Sequence, residues 1–578
     1  MKATLAILCL PFATIIACSD RGWSGQGGPD DASVDLAAPA FEAGVSEASD
    51  CTVSHCSADL HEVLDCHGAV LKTCSADSAC GAGGNCVSPC QGAIDNQSAI
   101  GCEFYAATPA PDSTAADSCY AVMLANTWSA PIDVTITYGT TQLPSTIGYQ
   151  ASSDGSLTKL VNGQLPPNQV GVFFLSAKDS NRAFWTQCPG GVAGINQVYT
   201  AVDDTGVGHA FHVSTSAPVV AYDVYPYGGA KSYITSASLL VPTSAWGTNY
   251  VSVDGYARTA GAGNPYTQIV ASEDDTNVTI LPSQAIVGGA NVAPASQNVP
   301  VTYTLAKGDY VQLFQNAELA GSPIASDKPI TVFGGSSCAD VPVQSAYCDS
   351  LHQQLVPVSM LGHSYVAARY RNRSNKEETV PWRLVGAVDG TTLTFDPPQS
   401  GAPKTLAKGE LAEFTSPGPF VVTSQDDAHP FYMSAHMVGA YLYPTPNWDG
   451  DPDFVNIVPP DRWLSSYLFL TDPSYKNANL VFVRKKASDG TFADVTLDCA
   501  GTLGGWTPIG NGDYEFTRAD LVIGGVPQGK CTNGVHTAAS KAPFALTVWG
   551  FDNAVSYAYP AGMGTFPINS VIVDPTPK

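Results

Sequence analysis

Three carboxylates at alternate positions, Asp449, Asp451 and Asp453, lie in the loop Asp449-Gly450-Asp451-Pro452-Asp453 and offer this 578-residue chain its best place for hard-metal chemistry. Calcium takes several carboxylate and carbonyl oxygens from a mobile loop. An EF-hand would need glycine at the sixth position and an acid at the twelfth, and Phe454 and Pro460 stand there instead. The expectation is a calcium site in a loop of a β-sandwich, with Asp426 and Asp427 as further donors; the competing reading is a solvated acidic turn. No other cofactor is expected.

Other chemistries fall short on residue type. In Gly524-Gly525-Val526-Pro527-Gln528-Gly529-Lys530-Cys531, cysteine takes the place of the Ser or Thr that a phosphate loop uses to hold magnesium. No Gly-x-Ser-x-Gly elbow occurs, which argues against an α/β-hydrolase. His209, His212, His352, His363, His429, His436 and His536 show no ligand-like grouping, and the acids are spread too evenly to nominate a catalytic pair. Tyr222, Tyr225, Tyr227, Tyr441, Tyr443 and Trp448 could stack on a glycan, although Tyr and Trp also fill sandwich cores, which is the favoured reading. No catalytic residue is assigned.

Cysteine chemistry is plainer. Cys51, Cys56, Cys66, Cys74, Cys80, Cys86, Cys90 and Cys102 crowd into residues 51–102. An even number in so short an exported segment implies a disulfide framework whose pairing the sequence leaves open. Zinc held with His55, His61 and His67 is the competing reading, but the paired C-x₂-C knuckles of zinc modules are missing. The remaining cysteines fall in pairs, Cys119 with Cys188, Cys338 with Cys348 and Cys499 with Cys531, and each pair reads as a local disulfide.

The elements that must position these groups are repeated. A polar turn, a proline and a β-branched or aromatic run recur at Pro218, Pro329, Pro430 and Pro543. Proline lacks an N–H, so each copy reads as a turn entering a strand. Pro242 is followed by Trp246 and Tyr250, Pro357 by Leu361 and Tyr365, and Pro459 by Trp463 and Tyr467, at identical offsets. The spacing between these prolines holds about seven short strands, which suits one small sandwich per unit. The expected fold is all-β: tandem β-sandwich-like repeats at 119–241, 242–356, 357–458 and 459–578, preceded by the disulfide module at 51–102. A β-propeller is the alternative.

The composition is that of an exported β protein, with 54 Gly, 42 Pro and 13% charged residues. A formal charge of −25 excludes nucleic acid and an anionic membrane surface as partners. Residues 1–18 read as a signal peptide ending in Ile15-Ile16-Ala17-Cys18, which looks like the lipobox of bacterial lipoproteins, with Cys18 as the lipid-bearing residue. Residues 19–50 are Gly, Ala, Ser, Pro and acids, a flexible tether with a root-mean-square reach of about 30 Å.

Ser326-Asp327-Lys328-Pro329-Ile330-Thr331-Val332-Phe333-Gly334-Gly335, Cys338, Cys348 and Gln353-Gln354-Leu355-Val356-Pro357 through Gly362 and Tyr365 resemble the N-terminal domain of the IgG-Fc-binding protein family. Val219-Val220-Ala221 and Leu240-Val241-Pro242 extend the resemblance upstream, and it covers roughly residues 120–444. It implies an extracellular, non-enzymatic binding or adhesion module whose partner is a protein or glycan, with no residue set to carry over as an Fc site. The alternatives are a secreted all-β polysaccharide-degrading enzyme and a structural cell-surface spacer. The expected location is the outer membrane or cell surface, or, without the lipid, the secreted fraction. Each lipid CH₂ buried contributes about 0.8 kcal/mol, so a three-chain anchor holds firmly. The native protein is expected in the detergent phase with outer-membrane material, and Cys18→Ser in the aqueous phase; wild-type protein found wholly in the aqueous phase refutes the anchor.

Overall fold

A strand that must serve two sheets has to bend, and one such strand organises each repeat. In the computed structural model, residues 54–57, 60–65, 69–97, 100–259, 263–343 and 345–577 are described. The key strands are β1 (Phe211–Tyr225), β2 (Ser236–Leu240), β3 (Pro323–Ala339), β4 (Asp349–Leu355), β5 (Phe420–Thr423), β6 (Phe431–Met437), β7 (Asp453–Asn456), β8 (Gly534–Asp552) and β9 (Val555–Pro560). The upstream half of β3 pairs with Gly247–Val251 and Thr276–Ile280, and its downstream half with Pro265–Ala271 and β4. β1 and β8 divide their partners in the same way. In the third repeat the strand is cut in two, β5 joining one small sheet and β6 another. Each repeat is therefore a curled two-sheet sandwich with the long strand as its corner. The blades of a propeller would be separate sheets around a channel, and the propeller alternative is set aside.

The repeated prolines mark that corner. Pro430 does enter a strand from a turn, but Pro218, Pro329 and Pro543 lie inside continuous strands, contrary to the sequence expectation. Their missing N–H is tolerated because the pairing register slips beside them, between Ser214 and Val219, Gly247 and Asn249, and Leu464 and Ser466.

The second repeated motif closes onto the first. After each of Pro242, Pro357 and Pro459 comes one 3₁₀ turn and then a tyrosine whose hydroxyl bridges two segments. Tyr250, Tyr365 and Tyr467 accept the N–H of Gly247, Gly362 and Leu464 at 3.1, 2.9 and 3.0 Å. The same hydroxyls donate to the carbonyls of Ile330, Phe431 and Phe544 at 2.7, 2.6 and 2.5 Å, in each case the residue just after the corner proline. Trp246 and Trp463 donate Nε1 back to Val241 and Val458. The identical offsets in the sequence are the offsets of one hydrogen-bonded corner.

The first sheet opens with Gly101–Ala106, which pairs with β1, so the terminal residues of the cysteine-rich segment are already part of it. Here Gly101 pairs with Val219 and Phe104 falls where the other repeats carry tyrosine. The repeats also interlock. A Cβ added at Gly101 would lie 2.3 Å from Pro242, at Gly247 2.8 Å from Pro357, and at Gly362 2.6 Å from Pro459. The opening strands of the first three repeats thus sit against the proline that precedes the next repeat's 3₁₀ turn, at a distance only glycine permits.

In the cysteine-rich segment, Cys56–Cys80, Cys74–Cys86 and Cys90–Cys102 are disulfides, and the last ties helix α1 (Pro89–Asp95) to the first sheet. Cys51 and Cys66 lie outside the described residues, as do Cys18 and the tether. Trp128 holds this segment by donating Nε1 to Ala76.

The four strands that end the repeats, β2, β4, β7 and β9, pair within their own sheets on one side only, to β1, β3, β6 and β8. Their free edges meet in a cycle, β2 against β4, β4 against β7, β7 against β9 and β9 against β2. Thr52–Lys578 is one compact unit around this centre. Buried edge groups need partners, and side chains supply them. Gln353 of β4 donates Nε2 to Ala237, Phe454 and Ala558, on β2, β7 and β9, at 2.9, 3.0 and 2.9 Å. Gln354 accepts the Val241 N–H at 2.7 Å, and Asn456 donates to the Gln354 carbonyl at 2.9 Å. Gln353→Leu keeps the bulk and strands buried carbonyls on three repeats, so denaturant unfolding should show a loss of about 2–4 kcal/mol. A loss below about 0.5 kcal/mol would show that Gln353 is not a structural node.

Candidate functional site

The expected calcium loop does not converge. Among the described residues, the three-residue group with ligand atoms within 4.8 Å of one another is Asp498, Cys499 and His536, not Asp449, Asp451 and Asp453. Cys499 is bonded to Cys531 and is no thiolate, while His536 uses Nδ1 on Asp498 and Nε2 on the Thr532 carbonyl. Asp449 is held by Thr445 and Asn477 at 3.1 and 3.3 Å, and Asp453 accepts its neighbour Phe454's N–H at 2.7 Å. Asp426 and Asp427 pair instead with His429 and His363. The near-phosphate loop is a hairpin turn at Gly524 and Gly525.

Of the aromatic residues singled out, Tyr222, Tyr225 and Tyr227 are core, and the Tyr222 hydroxyl joins the first repeat to the Ala561 carbonyl of the last. Tyr441 and Trp448 are 56% and 37% exposed. Trp448 leads to the site, a groove of about 860 Å³ to which all four repeats contribute. The first repeat supplies Phe184 and Tyr233, the second the Cys338–Cys348 disulfide with Asp340 and Tyr347, the third Trp448 and Asp451, the fourth Asn553 and Ala554. Cys119–Cys188 closes a loop within the first repeat. Phe184 and Tyr233 meet edge to face at 5.1 Å, and so do Tyr347 and Trp448 at 5.7 Å.

Backbone conformation singles the groove out. Tyr233, Tyr347 and Trp448 have φ of 56°, 67° and 54°, and among the described residues they are the three aromatics in the left-handed region. All three line this groove. A bulky side chain there costs on the order of 1–3 kcal/mol and persists only where its surroundings impose it. The disulfide at Cys348 fixes the neighbour of Tyr347. The Trp448 carbonyl accepts the Ala554 N–H at 2.8 Å, and Thr445 returns its own carbonyl to the Trp448 N–H at 3.2 Å.

Asp340 and Asp451 lie deeper, 7% and 1% exposed. Thr259 donates to Asp340 Oδ2 at 2.8 Å and the Ala440 N–H to Asp451 Oδ1 at 3.0 Å. Burial pushes both carboxyls up, Asp451 to about 8, with Asp340 adding to the effect and the Ala440 N–H and Arg373 opposing it. Asp349, behind them, takes N–H bonds from Thr235, Ser350 and Ser556 at 2.7, 2.8 and 3.1 Å. Burial, then Asp451 and Asp453, still hold it well above the carboxylate range. Asp349 and Asp451 occupy the same repeat position, eight residues before Pro357 and Pro459.

A family model described as IgGFc binding protein matches residues 236–550, more than half of the chain. The chain belongs to the IgGFc-binding protein family. A human relative named IgGFc-binding protein is 22% identical over 423 residues, which are 72% of this chain and 7% of that protein. The chain therefore spans a small fraction of that relative's length. An anti-sigma factor domain-containing protein from Clostridium clariflavum aligns with 77% of this chain and 97% of its own at 8% identity; its TM-score of 0.11 bears on neither fold nor function. The family match begins at β2 and ends inside β8, so it takes in the second and third repeats, most of the fourth, and two of the groove's four walls; Asn553 and Ala554 lie just beyond it.

The acid chemistry is testable through stability. A carboxyl whose folded pKa is raised from 3.8 to about 8 binds a proton in the folded state that the unfolded state has lost, so stability falls as pH rises between those values and levels off above them. Asp451→Asn keeps the acceptor for Ala440 and removes the titration. Its stability relative to wild type should climb from pH 4 to about pH 8 and then stay constant. Parallel curves for the two proteins across that window would contradict the raised carboxyl.

Proposed function

We propose that this IgGFc-binding family member is an extracellular adhesion or binding protein, held to a membrane through a lipid on Cys18, that takes a protein partner in the four-repeat groove. What carries the reading is the set of three aromatic side chains held at positive φ around one exposed concavity. Such strain is concentrated where a side chain's position matters for a ligand, and aromatic anchors in pockets dominate protein interfaces. A spacer has no use for it. Ile15-Ile16-Ala17-Cys18 supports the anchor and the disulfides support an oxidising, extracytoplasmic location. Among the described residues, no helix is long and apolar enough to cross a membrane.

Two features favour binding over hydrolysis. Asp340 and Asp451 are both pushed toward the protonated form, whereas a glycosidase pair needs one carboxylate ionised. The family name, and that of the human relative, point to a protein ligand.

The test is surface binding of the exported full chain to a protein and glycan array that includes human IgG Fc, followed by affinity measurement for each ligand found. Trp448→Ala combined with Tyr347→Ala should weaken the protein ligand at least tenfold, the effect of losing an interfacial anchor of about 1.4 kcal/mol or more. An unchanged affinity in a folded double variant would move the binding site elsewhere.

A further inference from the structure

The chemistry of the groove narrows what enters it. Among the described residues it is lined by aromatic side chains, by Asp112, Asp340 and Asp451, and by no lysine, arginine or histidine. Arg373, whose charge acts on Asp451, and Arg182, two residues from Phe184, are both already engaged. Arg373 is paired with Glu378 at 3.0 Å, both fully buried, and Arg182 is paired with Asp117 at 3.1 Å. Asp340 and Asp451 form no ion pair with any described residue, and each uses one oxygen in a single hydrogen bond, leaving Asp340 Oδ1 and Asp451 Oδ2 without a partner among the described residues. Both side chains are more than nine-tenths buried and both line the groove. An open carboxyl oxygen at the wall of a groove is a ready acceptor for a donor that enters. The exposed aromatic faces above give a cation a second, independent attraction through the ring quadrupole.

We infer that the groove receives an arginine or lysine side chain projecting from the protein partner, its stem lying against Tyr347 and Trp448 and its charged head reaching Asp340 and Asp451. This rests on the protein-binding reading of the groove and names what that partner must offer. The inference is one of charge complementarity. A chain of formal charge −25 draws a basic partner in, and the open carboxyl oxygens fix where its cation ends. Arginine fits best, because a planar guanidinium stacks on an aromatic face, and its charge draws the two buried carboxyls into the ionised form that accepts its N–H groups. A neutral glycan would use the aromatic faces and leave the two open oxygens to hydroxyl groups.

Calorimetric titration of the full-length exported protein with four capped pentapeptides tests this. All are Ala-Ala-X-Ala-Ala, with X as arginine, lysine, citrulline or norleucine. The charged peptides should bind at least tenfold tighter than their uncharged counterparts, by the sum of cation–π and ionic attraction. Asp451→Asn or Asp340→Asn should erase most of that ratio, and rising salt should reduce it. If either variant fails to fold, the other asks the same question.

Equal binding of the arginine and citrulline peptides would overturn the inference while leaving the groove a protein-binding site. No response to the arginine peptide at millimolar concentration, or binding in the groove of calcium alone or a neutral oligosaccharide in its place, would overturn it too. If the partner found on the array is indifferent to Trp448→Ala and Tyr347→Ala, the binding reading fails first, and the inference with it.

Discussion

An edge strand buried in protein has nowhere to put its unpaired N–H and C=O groups, and this chain carries four such edges into one centre. Extending a sheet across the centre would satisfy them, but four twisted sandwiches approaching a common axis cannot share one ladder. The solution is a side-chain amide. Gln353 stands within hydrogen-bonding distance of carbonyls on all three other repeats, and the two N–H groups of its amide reach the three acceptors by sharing one of them between two carbonyls. Gln354, Asp349 and Asn456 complete the set around it. Everything peripheral follows, because the relative placement of the repeats is what brings four loops together as a groove.

Much of the architecture is legible in the chain, because hydrogen-bonded corners have fixed reach. The distance from Pro357 to Tyr365 is the length of chain needed to turn once and return a hydroxyl to the Phe431 carbonyl, and it cannot vary without losing both bonds. Where the corner is altered, the sequence is harder to read. Phe104 lacks the hydroxyl and no proline precedes it, so the opening strand of the first repeat is hidden behind the cysteine framework. Pro218, Pro329 and Pro543 invite a strand start, and the bulges that let the strand run through them depend on partners far away in sequence.

The groove is less legible. Its walls come from residues as distant as Phe184 and Ala554, and no local pattern links them. Carboxylates at alternate positions look like ligands because along a strand they would share one face, yet only Asp453 lies in β7, and Asp451 and Asp453 are drawn into different hydrogen bonds. Two signals were available. Tyr347 and Trp448 are large aromatics within tight polar loops, where a turn would ordinarily carry Asn, Asp or Gly. Asp349 and Asp451 recur at one repeat position, so an acid eight residues before Pro357 and Pro459 is a second, partial element of the pattern, with Ile234 in its place before Pro242.

The cycle of edges also bears on the order in which this protein is made. β2 needs β9 as a neighbour, and β9 is synthesised about three hundred residues later. The first sandwich can form its own ladders early, but its inner edge stays open until the last sandwich arrives, and the Tyr222 hydroxyl waits for Ala561. Folding of this kind is governed by long-range contacts and is slow. A chain emerging from a translocation pore would hold an unpaired strand edge exposed for most of its passage. The local disulfides, which close without waiting for the C-terminal repeat, are the devices that can keep each finished sandwich intact during that interval.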